Sequence, residues 1–207
     1  MAEIRENETK IIKADDCWIG TYSGVPFRLD NPRPEDVRIE DIAHSLSLQC
    51  RFNGHCDEFY SVAEHCVEVS NRVSPSNALD GLLHDAAEAY VGDVTGPLKQ
   101  RLLFETKDRA MDGVTAFRHQ ERRVNDAIRT NIGLPMGWPV EVDKADLRML
   151  ATERRQLFGP EQPEWGCVAG VVPYDTVLNC WTPKRAEEAY LERFSELYKG
   201  VGAMPWA

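Results

Sequence analysis

The sequence predicts a mainly α-helical fold in a single domain, with a small β-hairpin near its N-terminus. Apolar residues recur at helical spacing through most of the chain, whereas a strand-like pattern occurs in one short stretch over residues 17–29. No internal repeat, low-complexity tract or linker divides the 207 residues, which are enough to bury one core. We therefore expect a mobile lead-in over residues 1–16 and one domain over residues 17–207.

Charge and composition exclude several classes of protein. The formal net charge of −10 argues against a non-specific nucleic-acid binder, which needs a basic face, but it allows a small anionic substrate. No stretch approaches the roughly 18 consecutive apolar residues of a membrane span, and the N-terminus is polar. The six cysteines form no Cys-x-x-Cys pair, which favours reduced thiols. We expect a cytoplasmic protein without nucleic-acid or membrane partners.

The N-terminal third predicts a hairpin and then two helices. Trp18, Ile19 and Phe27 flank Ser23-Gly24, which places the glycine in a hairpin turn. Apolar residues at helical spacing predict a helix over residues 39–50. The short stretch that follows, residues 51–55, is rich in functional groups.

The second helix of this region begins at a capping box. Ser61 occupies the N-cap and Glu64 the third helical position. His65 therefore falls in the first helical turns. The positive end of the helix dipole is expected there to keep its imidazole neutral and able to bind a metal.

The stretch from Leu82 to Tyr90 predicts the helix around which the site is organised. At about 100° per residue its apolar side chains form one stripe, and His84, Asp85 and Glu88 gather on the opposite face. An imidazole beside a carboxylate is typical of a divalent-metal site. Two ligands do not hold a metal, so further ligands are expected from other elements.

The C-terminal half predicts three more helices. The first covers residues 105–131, and the second covers residues 142–158. In the second helix Asp146 interrupts an apolar stripe, and a buried carboxylate has to be paired or has to coordinate a metal. Residues 159–181 are loop-like, and the last helix begins after Thr182 and ends near residue 200.

Together, these elements supply four candidate metal ligands. Each has an ordinary alternative, because a lone histidine on a helix is usually structural and an aspartate in an apolar stripe is often an ion-pair partner. Their conjunction favours a metal site. Two imidazoles and two carboxylates suit Mn²⁺, Fe²⁺, Co²⁺, Ni²⁺ or Zn²⁺. The candidate ligands are His65, His84, Asp85 and Asp146.

The order and spacing of these residues resemble the H…HD…D signature of the HD-domain phosphohydrolases. His84 follows His65 by 19 positions and Asp146 follows Asp85 by 61, and the likeness covers residues 17–158. Two groups are most similar, namely the bacterial 5′-deoxynucleotidases and phage-encoded proteins that include a dATP triphosphohydrolase. The resemblance implies an HD-domain helical bundle and a homo-oligomer.

The resemblance also implies a function and residue roles. It implies a metal-dependent hydrolase of deoxynucleoside phosphates, above all a dATP triphosphohydrolase that releases deoxynucleoside and triphosphate. A 5′-deoxynucleotidase and a non-hydrolytic nucleotide sensor are the alternatives. The implied roles are water activation for Glu88, contact with the sugar and the reacting phosphate for Asp93, phosphate binding for Arg51 and Lys99, and base binding for Trp18 and Ile19. Asp93 could instead end a helix, and Trp18 could instead anchor the hairpin.

Overall fold

The computed structural model describes residues 18–108 and 111–198, and these residues are mainly helical. The predicted lead-in over residues 1–16 lies outside this range. Among the described residues, no helix combines the length and apolar character that a membrane span requires.

The predicted N-terminal β-hairpin is wrong. Residues 18–29 form no strand, and their β character is limited to one isolated bridge between Ile19 and Phe27. The turn is instead fixed by the first helix, because the backbone N–H and hydroxyl of Ser23 donate to Asp41 at 2.6 and 2.8 Å. Phe27 is fully buried and stacks on Tyr90 with ring centroids 3.8 Å apart. The segment is therefore a loop attached to the helical core.

Two longer helices and three short ones follow. The predicted helix around His84 is broken, because residues 84–87 form a tight turn in which Ala86 and Glu88 donate backbone hydrogen bonds three residues back. The elements are α1 (Ile39–Leu48), α2 (Val62–Ser70), α3 (Ala78–Leu83), α4 (Glu88–Val91) and α5 (Gly96–Lys99).

The helix predicted over residues 105–131 is wrong in its first part. Strands β1 (Leu103–Asp108) and β2 (Met111–Ala116) pair antiparallel, and helix α6 (Phe117–Ile132) begins only after them. The two strands include Thr106, Gly113 and Thr115, which are weak helix formers. Helix α6 ends at Gly133, whose left-handed φ of 81° suits a glycine C-cap.

The two remaining helices complete a bundle around α2. Helix α7 (Val140–Leu157) and helix α8 (Pro183–Tyr198) both pack on α2, which also contacts α1 and α3. Gly81 allows the close approach of α3, because a Cβ atom there would lie 3.1 Å from the Cα of Ser70. Helix α2 is buried along its whole length. Its N-terminal half thereby faces both the turn after α3 and helix α7, where the site forms.

Candidate metal centre and substrate cleft

The four predicted metal ligands meet at one point between α2, α7 and the turn after α3. The Nε2 atom of His65 lies 3.1 Å from Nε2 of His84, 3.2 Å from Oδ1 of Asp146 and 3.5 Å from Oδ2 of Asp85. Nε2 of His84 lies 3.2 Å from Oδ2 of Asp85 and 3.9 Å from Oδ1 of Asp146. His65, His84 and Asp146 place ligand atoms within 4.8 Å of one another, close enough to hold a metal ion together, and Asp85 lies beside both imidazoles.

The local structure explains how neighbouring residues reach one point. His84 and Asp85 would diverge by about 100° on a regular helix. In the turn over residues 84–87, Nε2 of His84 and Oδ2 of Asp85 nevertheless lie 3.2 Å apart. His65 is presented by the first turns of α2, whose N-terminus is capped by the Ser61 hydroxyl accepting from the Glu64 N–H at 3.1 Å. Only half of the predicted capping box forms, because the Glu64 carboxylate turns away to the segment before α8.

The outer nitrogens of both imidazoles are held by acceptors. His65 Nδ1 lies 2.6 Å from Oε1 of Glu153, and His84 Nδ1 lies 2.9 Å from the carbonyl oxygen of Gly81. Since a carboxylate and a carbonyl only accept, each Nδ1 carries the hydrogen. In the neutral rings both Nε2 atoms then present lone pairs toward each other and toward two carboxylate oxygens. The hydrogen bonds from each Nδ1 to an outer acceptor are typical of metal-binding histidines.

The electrostatics of the centre reflect this accumulation of acceptors. Burial lowers the pKa of His65, but Glu153 and Asp146 outweigh it, so the net pKa is raised. The pKa of His84 is likewise raised well above its usual range, because Asp85 outweighs burial. The predicted helix-dipole effect on His65 is therefore overridden by carboxylates. Without another cation, the centre attracts protons.

The two aspartates show the opposite effect. Burial raises the pKa of Asp85 and of Asp146, but the neighbouring imidazoles outweigh burial and lower both values. The Asp146 side chain is 42% exposed, so it is not the buried carboxylate that the apolar stripe suggested. It lies on the wall of a cleft. Both carboxylates are therefore ionised and available as ligands.

A thiol also lies close to the centre. Cys66, His84 and Asp85 place ligand atoms within 4.8 Å of one another. Cys66 is buried, and burial raises the pKa of its thiol to about 11. Cys66 does not line the cleft, whereas Asp85 and Asp146 do, so a site that includes both aspartates opens to a substrate. The histidine and aspartate set is therefore the better candidate.

Glu88 lies beside the centre with one oxygen unpaired. The residue is 4% exposed, and its Oε1 accepts a hydrogen bond from Lys99 at 3.1 Å. Its buried Oε2 has no hydrogen-bond partner among the described residues. Burial, followed by the charges of Asp85 and Asp93, raises the pKa of Glu88 well above its usual range. This carboxyl group can hold or take up a proton.

Lys99 and Gln49 position the surroundings of Glu88. The Lys99 ammonium also donates to Glu121 at 2.6 Å, and these two glutamates raise its pKa although burial lowers it. Gln49 donates to the Glu88 carbonyl at 3.0 Å and accepts the Asp93 N–H at 2.9 Å. Asp93 is thus held at the end of α4.

A cleft of about 730 Å³ opens over the centre. Its volume suits a small-molecule ligand. Arg51 lies on its wall with the guanidinium turned inward, donating to Glu153 at 3.1 and 3.2 Å and lying 3.6 Å from Asp85. The predicted residues that line the cleft are Arg51, Asp85, Glu88, Asp93, Lys99 and Asp146.

The structure does not bring Trp18 and Ile19 to this cleft. The Trp18 side chain is 51% exposed. Ile19 lines a separate cleft of about 460 Å³ together with Tyr22 and His44, whose rings stack 3.9 Å apart. Among the described residues, base binding in the metal cleft would require other aromatic side chains.

Sequence reasoning missed Glu153 and Gln49. Glu153 is fully buried and receives hydrogen bonds from Arg51 and His65. It follows Asp146 by seven positions on α7, so both lie on one helix face, and this spacing could have revealed it. Gln49 acts across 39 and 44 residues, and no local pattern indicates such contacts.

Comparison with known proteins places the chain among relatives from two bacteria. It is 39% identical over 182 residues to "Uncharacterized protein YfdR" of Escherichia coli (strain K12), covering 87% of this chain and 95% of that protein. It is 32% identical over 161 residues to "Uncharacterized protein RCAP_rcc00048" of Rhodobacter capsulatus, covering 72% of this chain and 76% of that protein. No family model matches the chain. From these likenesses, the chain belongs to the same family as the YfdR and RCAP_rcc00048 proteins.

Proposed function

We propose that the protein is a metal-dependent hydrolase of deoxynucleoside phosphates of the HD-domain type. One observation carries this proposal: two imidazole lone pairs and two aspartate oxygens converge while the outer nitrogens of both rings are tied to acceptors. Four acceptors without a donor among them repel one another unless a cation or shared protons lie between them. A divalent cation resolves this repulsion.

The donor set fits a catalytic metal ion. His65, His84, Asp85 and Asp146 would hold it, and nitrogen and oxygen donors of this kind suit first-row divalent ions. Such an ion, when bound, polarises a phosphoryl group and lowers the pKa of a water. Asp146 lies on the cleft wall, so the centre opens to the cleft instead of being closed within the core.

The residues around the centre have complementary tasks. The unpaired Oε2 of Glu88 is available to accept a proton from a water in the cleft. Lys99 holds the other oxygen and so fixes the direction of the carboxylate. Arg51 braces Glu153, which in turn orients His65. Arg51 is therefore a positioning residue for the centre in addition to its proposed phosphate contact.

Two substrates are proposed, and they differ in the number of phosphate groups. Resemblance of the N-terminal half to phage-type HD proteins supports a deoxynucleoside triphosphate, above all dATP. The charges in the cleft favour a monophosphate instead, because Arg51 and Lys99 are each already paired with two carboxylates. A triphosphate carries more negative charge and needs more free cations. The products distinguish these proposals.

The test combines a product assay with metal analysis. Purified protein supplemented with Mn²⁺ or Co²⁺ is offered each dNTP, dNMP and ribonucleotide, and nucleoside, phosphate and triphosphate are resolved by ion exchange. Deoxynucleoside with intact triphosphate supports the triphosphohydrolase, and phosphate from monophosphates supports the 5′-deoxynucleotidase. Nucleotide binding without product would identify a sensor.

The matched variants are two aspartates. Asp85→Ala is expected to lose both bound metal and turnover, because it removes a ligand and its charge. Asp143→Ala changes an exposed carboxylate one turn before Asp146 on α7 and is expected to retain both. Full activity in Asp85→Ala would overturn the metal-dependent function.

A further inference from the structure

Part of the wall of the metal cleft is aromatic. Phe52 and Trp165 line the cleft, are half-buried and lie with ring centroids 5.6 Å apart. Phe158 also lines the cleft, and this buried ring contacts the other two edge-on at 5.1 and 4.9 Å. Partly exposed aromatic rings beside a charged centre leave apolar surface in water. This surface is suited to a ligand with a flat apolar part.

Trp165 has different surroundings on its two sides. It separates the metal cleft from a second cleft of about 450 Å³, and it lines both. Arg154 lines only the second cleft, with its guanidinium carbon 6.0 Å from the centre of the Trp165 ring. The cation therefore approaches Trp165 from the second cleft. Among the described residues, no second cation lies over the Trp165 ring.

Phe52 connects this aromatic wall to the metal centre. Its backbone adopts φ of 58°, and Asn53 adopts φ of 53°, so two consecutive non-glycine residues lie in the left-handed region. Such strained conformations are concentrated at functional sites. The Arg51 guanidinium lies 5.1 Å from the Phe52 ring centre and 3.6 Å from Asp85. The strained turn thus places an aromatic ring one side chain away from the candidate ligands.

We infer that Trp165 and Phe52 form the binding surface for a nucleobase, with Trp165 as the stacking platform. This inference rests on the proposed function, because it assigns the base of the deoxynucleotide whose phosphate lies at the metal centre. The cleft combines charged groups with aromatic rings, which matches an amphipathic ligand with one anionic group and one planar ring. Every nucleobase can stack on an aromatic side chain, and the stacking depends little on which base it is.

The test measures binding of each half of the substrate separately. Mn²⁺-loaded protein is titrated by equilibrium dialysis with labelled deoxyadenosine, which has no phosphate, and with labelled inorganic phosphate, which has no base. In Trp165→Ala the affinity for deoxyadenosine is expected to fall roughly 5- to 100-fold, because a stacking contact is lost. The affinity for phosphate is expected to stay unchanged. Trp165→Phe is expected to retain most of the deoxyadenosine binding.

Two further variants separate binding from folding. Trp165→Leu keeps apolar bulk without a flat ring, so it replaces the alanine variant if that variant folds poorly. It is expected to lose deoxyadenosine binding and to retain phosphate binding. Val177→Ala changes a side chain that is 79% exposed in the same loop region, and it is expected to bind both probes like the wild type. Equal weakening for both probes in Trp165→Leu would make Trp165 structural and overturn the inference.

The remaining outcomes distinguish this inference from the proposed function. Loss of deoxyadenosine binding in Trp18→Ala, with none in the Trp165 variants, would place the base at the N-terminal segment and overturn the inference. Deoxynucleotide hydrolysis with an unchanged KM in Trp165→Ala would overturn the inference but support the function. Trp165-dependent deoxyadenosine binding without hydrolysis would support the inference and overturn the function. If the wild type binds neither probe and hydrolyses no deoxynucleotide, both are overturned.

Discussion

Glu64 and Glu88 are two buried glutamates whose surroundings differ in one respect. Glu64, on α2, accepts three backbone N–H groups, from Asn179 at 3.1 Å, Cys180 at 3.0 Å and Trp181 at 2.6 Å. Glu88, at the start of α4, receives one ammonium on Oε1 and leaves Oε2 without a partner among the described residues. Glu64 anchors the segment before α8, whereas Glu88, which lines the cleft, keeps one oxygen unpaired.

The comparison shows that a raised pKa does not by itself identify a functional residue. Burial is the largest cause for both, and it raises the pKa of Glu64 to about 7 and that of Glu88 well above its usual range. The two residues differ in the number of hydrogen-bond donors that their carboxyl groups receive. A carboxylate whose two oxygens both accept hydrogen bonds is tied into the fold. One with a vacant site can take part in chemistry, at a cost in stability.

The largest expected effect is at Glu88. Glu88→Gln removes the proton acceptor but keeps the shape, so kcat is expected to fall roughly 10²- to 10⁴-fold. Bound metal is expected to stay at the wild-type level, because Glu88 is not among the four ligands. Steady-state kinetics on the deoxynucleotide and metal analysis check the two expectations.

Glu64→Gln is the matched control for this substitution. It changes an equally buried carboxyl group that does not line the cleft, and kcat per folded molecule is expected to stay within a few-fold of the wild type. If Glu88→Gln lost its metal, Glu88 would be a ligand, and its assignment as a proton acceptor would be wrong.

An intermediate effect is expected at Glu153, a third buried glutamate whose acceptor sites are filled by Arg51 and His65. Burial raises its pKa, but these two partners outweigh burial and lower it. Glu153→Gln is expected to weaken metal affinity roughly 10- to 100-fold, as loss of an outer hydrogen-bond partner usually does. Competition with a chelating dye measures the affinity. Asp143→Asn on the same helix should match the wild type, and an equal loss there would refute the specific role of Glu153.

Sequence reasoning worked where spacing on one helix or a local motif carried the information. The cap at Ser61 located His65 in the first turns of α2. Helical spacing singled out His84, Asp85 and Glu88, although the helix is broken between His84 and Glu88. Asp146 was identified because a carboxylate within an apolar stripe has to be paired or has to coordinate a metal. The structure brings the candidate ligands together although three separate elements supply them.

Sequence reasoning failed where contacts between distant segments decide the structure. Asp41 holds the turn at Ser23 from 18 residues away, so the segment predicted as a hairpin closes on α1. Glu153 reaches Arg51 across 102 residues. The aromatic wall joins the turn at Phe52 to Trp165, within a loop that shows no periodicity. Such pairings leave no local signal.

The smallest expected effect concerns the pH dependence of stability at Glu64. A carboxyl group whose pKa is higher in the folded state binds its proton more tightly there. It therefore favours folding below its unfolded-state pKa, and this advantage is lost as pH rises through about 7. As pH rises from 5 to 8, the contribution of Glu64 is expected to lower the free energy of unfolding by roughly 1–3 kcal/mol.

His65, His84 and Glu88 have raised pKa values and act in the same direction, so only the difference between wild type and Glu64→Gln isolates Glu64. Urea unfolding of both proteins with a chelator present measures it, and equal slopes against pH would mean that the three backbone donors keep Glu64 ionised throughout.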